Sequence, residues 1–303
     1  MKNTKEGFLV LCVAVFLLFA LICAPLRMSA QVTSNVLERV LKVRVNAGTK
    51  NEEIATAFTL DVDGREYLIT AKHVVNGPKD EDKLDIFVNN DWSALDVRIY
   101  RCDDPIDIAI LIPPRQLTVN FSLPFDTRSF FYGQDAYFLG FPYGIQSPGH
   151  GLNGPYPLAI IKRGTISGKV DVDPSKKASL ILLDGYNNPG FSGGPIVFRD
   201  LNQPSVIMSV IGVISGFKPE VVPVMKQHDI KSPQVASDSA KLQPWKIQRR
   251  KDGTYFEYIE TGNFVSLNTG IVNGYFIDPA IDLIRQHPIG PEAKDLPGNQ
   301  PGK

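Results

Sequence analysis

The chain has 303 residues, 43% hydrophobic and 21% charged, the composition of a protein that buries a core. Lys and Arg total 32 and Asp and Glu total 32, so the formal net charge is zero. With no basic excess to meet phosphates, a nucleic-acid partner is not expected, and no charge imbalance marks a disordered scaffold.

Lys2 and Lys5 precede an apolar run of 17 residues, Phe8 to Ala24. Basic residues followed by an apolar stretch and a polar exit make either a signal peptide over residues 1–30 or a membrane anchor through residues 8–24. Ala30 would be the last residue removed, although Met28 is large for a cleavage site. In both cases the positive flank stays inside, so the body is expected to be exported, periplasmic or extracellular. Two of the 3 cysteines, Cys12 and Cys23, fall in this leader. Cys102 is left without an intrachain disulfide partner and reads as a packed thiol.

From residue 40 onward the pattern is of strands. Leu41, Val43 and Val45 alternate with Lys42 and Arg44, and Phe58, Leu60 and Val62 with Thr59, Asp61 and Asp63. A repeat of two marks a half-buried strand, and Asp63-Gly64 reads as a hairpin turn into a return strand over 65–70. Further candidates are 84–88, 97–100, 108–112, 136–141, 164–170, 180–183, 195–198, 206–214, 255–259 and 274–277. Short strands separated by turn residues among 25 Gly and 23 Pro predict an all-β, antiparallel sandwich or barrel. Phe130, Phe131, Tyr132, Tyr137 and Phe141 are expected in its core.

Between Phe217 and Lys251 a polar stretch carries Pro219, Pro223, Pro233 and Pro244. It reads as a long surface insertion over 218–251, a lid or recognition loop. Asp278 as N-cap and Pro279 as first residue predict one C-terminal helix. The tail 288–303, rich in Pro, Gly and charge, is expected to be disordered. His228 and His287 are expected to be solvated, and His150 to lie in a loop. No His/Cys/Asp spacing suits zinc, and no calcium loop is found.

Three segments carry chemistry: Leu68-Ile69-Thr70-Ala71-Lys72-His73-Val74-Val75, Asp107-Ile108-Ala109-Ile110-Leu111, and Gly190-Phe191-Ser192-Gly193-Gly194-Pro195. In this order over residues 40–285 they resemble the chymotrypsin-like serine peptidases, within them the bacterial trypsin-like branch related to Deg-type proteases. The resemblance implies two antiparallel six-stranded β-barrels with a C-terminal helix, one over 36–120 and one over 121–287. It implies a serine endopeptidase acting on protein or peptide, without a cofactor. His73 would be the general base, Asp107 its orienting partner and Ser192 the nucleophile, the logic being that a serine hydroxyl needs a base at the moment of attack. The resemblance also assigns the oxyanion donors to the amides of Gly190 and Ser192. It places the strand edge for substrate at Ser215, Gly216 and Phe217 and the first specificity pocket at Tyr186. No carboxylate stands at that pocket position, so a small or apolar residue is expected before the cut.

Two departures from the family pattern bear on function. Phe191 stands where many relatives carry Asp or Asn, so a switch pairing that carboxylate with a freed N-terminus cannot operate. A Deg-type peptide-binding module is not expected after Gln286, where only a short tail follows. Two other readings stay open. Gly190-Phe191-Ser192-Gly193-Gly194 also fits the nucleophile elbow of esterases, although Gly193, Gly194 and Pro195 make a poor helix start. A catalytically inactive relative could serve as a peptide-binding or scaffold module.

Overall fold

The computed structural model describes residues 32–79, 81–119, 123–148, 153–201 and 208–294. The chain divides into two units, Met1–Val32 and Thr33–Lys303, and the account below concerns the second. The leader, His150 and residues 295–303 lie outside the described residues. Among the described residues, no helix is long and apolar enough to cross a membrane.

Thirteen strands dominate among the described residues. The first six are β1 (Val40–Val45), β2 (Glu53–Val62), β3 (Arg65–Thr70), β4 (Glu81–Val88), β5 (Asp91–Arg101) and β6 (Ala109–Ile112). They close into a barrel in the order β1-β2-β3-β6-β5-β4. Its interior holds Leu41, Val43, Ala57, Leu68, Leu111 and their neighbours. The expected hairpin forms at Asp63-Gly64, both with positive φ, joining β2 to β3.

Alternation overestimates exposure in this barrel. Lys42 and Thr59 were expected to face solvent and are buried instead. The Thr59 hydroxyl is 2.6 Å from that of Thr118. The Lys42 Nζ donates to Gly144 O at 2.7 Å and Gln146 Oε1 at 3.1 Å and lies over the rings of Phe87 and Trp92. Burial lowers its pKa. A strand face that the sequence pattern marks as polar thus meets another layer of protein.

The remaining strands are β7 (Asp135–Gly140), β8 (Ile160–Asp173), β9 (Ala178–Asp184), β10 (Pro195–Arg199), β11 (Met208–Ile230), β12 (Ile247–Arg249) and β13 (Tyr255–Phe276). They form a seven-stranded sheet, β11-β10-β7-β8-β9-β13-β12. Strand β13 also pairs back onto β11, so six of them close on themselves and β12 hangs on the outer part of β13. Phe138, Ile166, Ile181, Phe191, Phe198 and Ile214 fill this second interior.

The insertion is not a loop at its root. Strand β11 runs on to Ile230 and returns as β13, forming a long two-stranded ribbon paired from Gly212↔Phe276 out to Ile230↔Tyr255. Pro219 and Pro223 are tolerated because the register shifts beside them, at bulges where a missing N–H breaks no ladder. Helical turns at 233–246 cap the far end, where Ile230, Ala236 and Ala240 make a small core. His228 is exposed, as expected, with its Nδ1 3.1 Å from Glu257 across the ribbon.

The C-terminal helix spans Asp278–Gln286, with Ile277 rather than Asp278 at the N-cap and Asp278 in the first turn. Of the tail 288–303, residues 288–294 dock along the first barrel, and the remainder lies outside the described residues. Glu66 N donates to Pro291 O (2.9 Å), Arg65 Nη1 to Gly290 O (2.6 Å) and Ala293 N to Gly64 O (2.9 Å). His287, also expected in solvent, stacks on Tyr100 at 4.1 Å. Of the aromatics expected in the core, Tyr137 and Phe141 are buried, whereas Phe131 and Tyr132 are exposed.

Candidate active site

Strands β3 and β6 pair antiparallel, with Thr70 opposite Ala109. The residue three past the end of β3 and the one two before the start of β6 therefore lie at the same end of the barrel. These are His73, in a 3-10 turn over Lys72–Val75, and Asp107. Both oxygens of the carboxylate are used: His73 Nδ1 lies 2.7 Å from Oδ2, and the His73 backbone N–H donates to Oδ1 at 2.8 Å. One carboxylate thereby fixes the ring and the turn that carries it, and Nε2 is the ring nitrogen left over.

Burial disfavours the imidazolium of His73. The hydrogen bond to Asp107, the charge of Asp107 and the charge of Glu53 outweigh it, and the pKa stands above its ordinary value. For Asp107, burial pushes upward, but the bonds and charge from His73 and the hydroxyl of Ser215 prevail, so its pKa is lowered. The couple favours His73 protonated and Asp107 ionised once a proton arrives.

Ser192 sits in the turn that opens β10. That turn demands glycine at two places. Gly190 has φ +102°, and a Cβ there would lie 2.3 Å from Phe141 O. Gly193 has φ +83°, and a Cβ would meet Thr70 Oγ1 at 2.1 Å and Thr56 O at 2.2 Å. Thr56 of β2 fastens this turn to the first barrel. Its N–H donates to Ser192 O (3.0 Å), its hydroxyl to Gly190 O (2.6 Å), and its own carbonyl accepts from Thr70 Oγ1 (2.7 Å). Among the described residues, neither the N–H of Gly190 nor that of Ser192 has an acceptor.

Ser215 joins the two halves. The register of β11 on β13 steps from Ile214↔Gly274 to Gly216↔Asn273, so Ser215 is the extra residue of a bulge and is freed from the ladder. Its hydroxyl donates to Asp107 Oδ2 at 2.5 Å, and its carbonyl accepts from the Ser192 hydroxyl at 3.5 Å. That long contact is the bond Ser192 Oγ makes here; no hydrogen bond connects it to His73.

The sequence of residues 55–203 matches the trypsin-like peptidase domain family. Among solved structures, it is similar to the HtrA-type protease AlgW with tripeptide, at 16% identity and TM-score 0.49, over 84% of this chain and 61% of that one. It thus spans less than two thirds of the AlgW chain. The active form of the Rv3671c protease from M. tuberculosis shares 19% identity, TM-score 0.44, over 61% of this chain and 73% of that one. The serine endoprotease from Yersinia pestis shares 17% identity, TM-score 0.43, over 63% and 60%. A search of curated proteins finds no match to the sequence.

A cavity of 520 Å³ lies in front of Ser192. Gly216 and Phe217 line one side, Asn187–Gly190 another, and Glu52, Glu53 and Ile54 a third. Tyr186 does not line it: its side chain is 58% exposed, and the loop offers backbone and the shorter residues that follow instead. Ser215 faces Asp107 with its hydroxyl, so of the three strand-edge residues only Gly216 and Phe217 line the cavity.

Phe191 is fully buried and meets Phe138 edge to face at 5.1 Å. Lys162 of β8 lies beneath it, Nζ 5.4 Å from the ring centroid. That amino group donates to Tyr186 O at 2.6 Å and to Asn188 Oδ1, and burial lowers its pKa. Asn268 of β13 donates to Asn187 O at 2.5 Å. A lysine and an asparagine from two strands thus hold the wall leading into Gly190. Thr56, Lys162 and Asn268 carry no local sequence signal; their role depends on strands distant along the chain. Cys102 is buried, its thiol pushed up to about 12 mainly by desolvation, so it is no nucleophile.

Proposed function

We propose that the protein is an exported serine endopeptidase in which Ser192 attacks the scissile carbonyl, His73 relays the proton and Asp107 orients His73. The observation that carries this reading is the doubly bonded His73–Asp107 pair, coupled through Ser215 to the Ser192 turn. In the first step the Ser192 Oγ–carbon bond forms, and the Oγ proton passes to His73 Nε2. The C–N bond then breaks as His73 returns that proton to the departing amine, leaving an acyl-enzyme that water hydrolyses by the same route. The free N–H groups of Gly190 and Ser192 are available to the developing oxyanion, and removing one such donor costs about 3–4 kcal/mol.

Strand β10 stops at Pro195↔Val213, so the edge of Ser215–Phe217 beyond it is open to an added substrate strand. Uncharged Asn187, Asn188, Pro189, Gly216 and Phe217 flank that edge and support a small or apolar residue before the cut. Export rests on Lys2, Lys5 and the apolar run Phe8–Ala24, as signal peptide or anchor. A division into barrels over 36–120 and 121–287 accompanies the reading.

A second reading, a non-catalytic peptide-binding domain, is favoured by one contact: the Ser192 hydroxyl turns to Ser215 O rather than to His73. A fluorophosphonate probe separates the two. The peptidase labels at Ser192, and Ser192→Ala abolishes both label and turnover. Folded wild-type protein that takes no label is the binding module.

A further inference from the structure

Among the described residues, the two charged residues lining the cavity before Ser192 are both acidic, Glu52 and Glu53, and no cation lines it. They are not equivalent. Glu52 is engaged: its Oε2 accepts from Gly48 N at 2.8 Å and lies 3.9 Å from Arg44. Glu53, which opens β2 opposite Val45, is exposed, and its carboxylate makes no hydrogen bond or ion pair among the described residues. Its charge still reaches the catalytic centre, because it contributes to the raised pKa of His73.

Its position along the cleft follows from the strand that carries it. Thr56, whose N–H holds Ser192 O at 3.0 Å, lies three residues further along β2. At roughly 3.3 Å per strand residue, Glu53 stands about 10 Å from that anchor, two to three residues of an extended peptide. The open edge at Ser215–Phe217 takes the part of a substrate before the cut. The wall formed by β2 is left for the segment that departs.

We infer that Glu53 selects substrates with a lysine or arginine among the first three residues after the scissile bond. The inference rests on the peptidase reading above. An unpaired carboxylate at the mouth of a cleft without cations attracts a cationic side chain and repels an acidic one. Both partners stay near water, so the selection is modest and salt-dependent.

The test uses the full chain and peptides identical except for Lys, Gln or Glu at each of the three positions after the cut. The expected order of kcat/KM at the responsive position is Lys, Gln, Glu, with Lys over Gln by roughly five-fold at low ionic strength, shrinking as salt is added. Glu53→Gln flattens the series and Glu53→Lys inverts it. Wild-type protein that takes the fluorophosphonate label yet cleaves the three peptides equally overturns the inference and leaves the peptidase standing. So does a preference that survives in Glu53→Gln. Wild-type protein that takes no label removes the peptidase reading and this inference together.

Discussion

The two halves of the candidate site are held by different means. His73 and Asp107 meet through two hydrogen bonds at 2.7 and 2.8 Å and lie close together at one end of one barrel. Ser192 is positioned almost entirely by main chain, through Ser192 O on Thr56 N and Gly193 N on Ile214 O, while its hydroxyl keeps one contact at 3.5 Å. His73, the proposed base, is therefore fixed before substrate arrives, whereas Ser192, the proposed nucleophile, has a fixed backbone and a rotatable oxygen. A hydroxyl rotates at little cost, so a bond to His73 can form when the carbonyl is in place.

This contrast sets the size of the expected effects. Asp107→Asn strikes the rigid half. The amide cannot serve both the ring and the His73 N–H as an ionised acceptor, and kcat should fall by about 10⁴ with little change in KM. Steady-state kinetics on a peptide substrate checks it, and a loss under tenfold breaks the comparison. Phe191→Ala strikes the support of the other half. Removing a fully buried ring that packs on Phe138 should cost about 3–5 kcal/mol of stability, measured by denaturant unfolding.

Lys162→Met tests whether the loop before Gly190 needs its clamp. The chain would keep most of the volume and lose the bonds to Tyr186 O and Asn188 Oδ1. Leaving that carbonyl unpartnered should lower kcat/KM roughly tenfold, and Lys162→Arg should restore part of it. The smallest effect is on pH. Attack needs neutral His73, and its pKa is held above the ordinary imidazole value, so kcat/KM should rise with pH through a midpoint above that value. Glu53→Gln removes one of the charges holding it up, so the midpoint should move down. An unmoved or rising midpoint shows that the Glu53 charge does not reach the base.

Much of the barrel architecture was readable because a half-buried strand imposes a period of two, and Asp63-Gly64 announces its own turn. The ribbon was not readable. Its middle lacks a buried face, so the run from Lys218 to Val222 shows no alternation to detect, and its prolines look like loop punctuation until the bulges are seen. Residues 288–294 were no more readable, for a related reason: they are held to the first barrel by backbone and Arg65 hydrogen bonds, which composition does not report. In the site, His73, Asp107 and Ser192 stood out by their flanking residues. Thr56 and Lys162 did not, since a threonine or lysine within a strand looks the same whether or not it holds a distant loop.

The sequence alone determined the residue types available for chemistry, the strand-rich class, and glycines at the two positions of the serine turn where a side chain would collide. Only the tertiary structure decided which side chains meet. It turned Ser215 toward Asp107 through a bulge, left Glu53 unpaired at the cleft, and made a strand pair of what read as a loop. The physical reason is that side-chain periodicity and turn preference act over a few neighbouring residues, whereas hydrogen-bond partnership and uncompensated charge depend on elements brought together by folding.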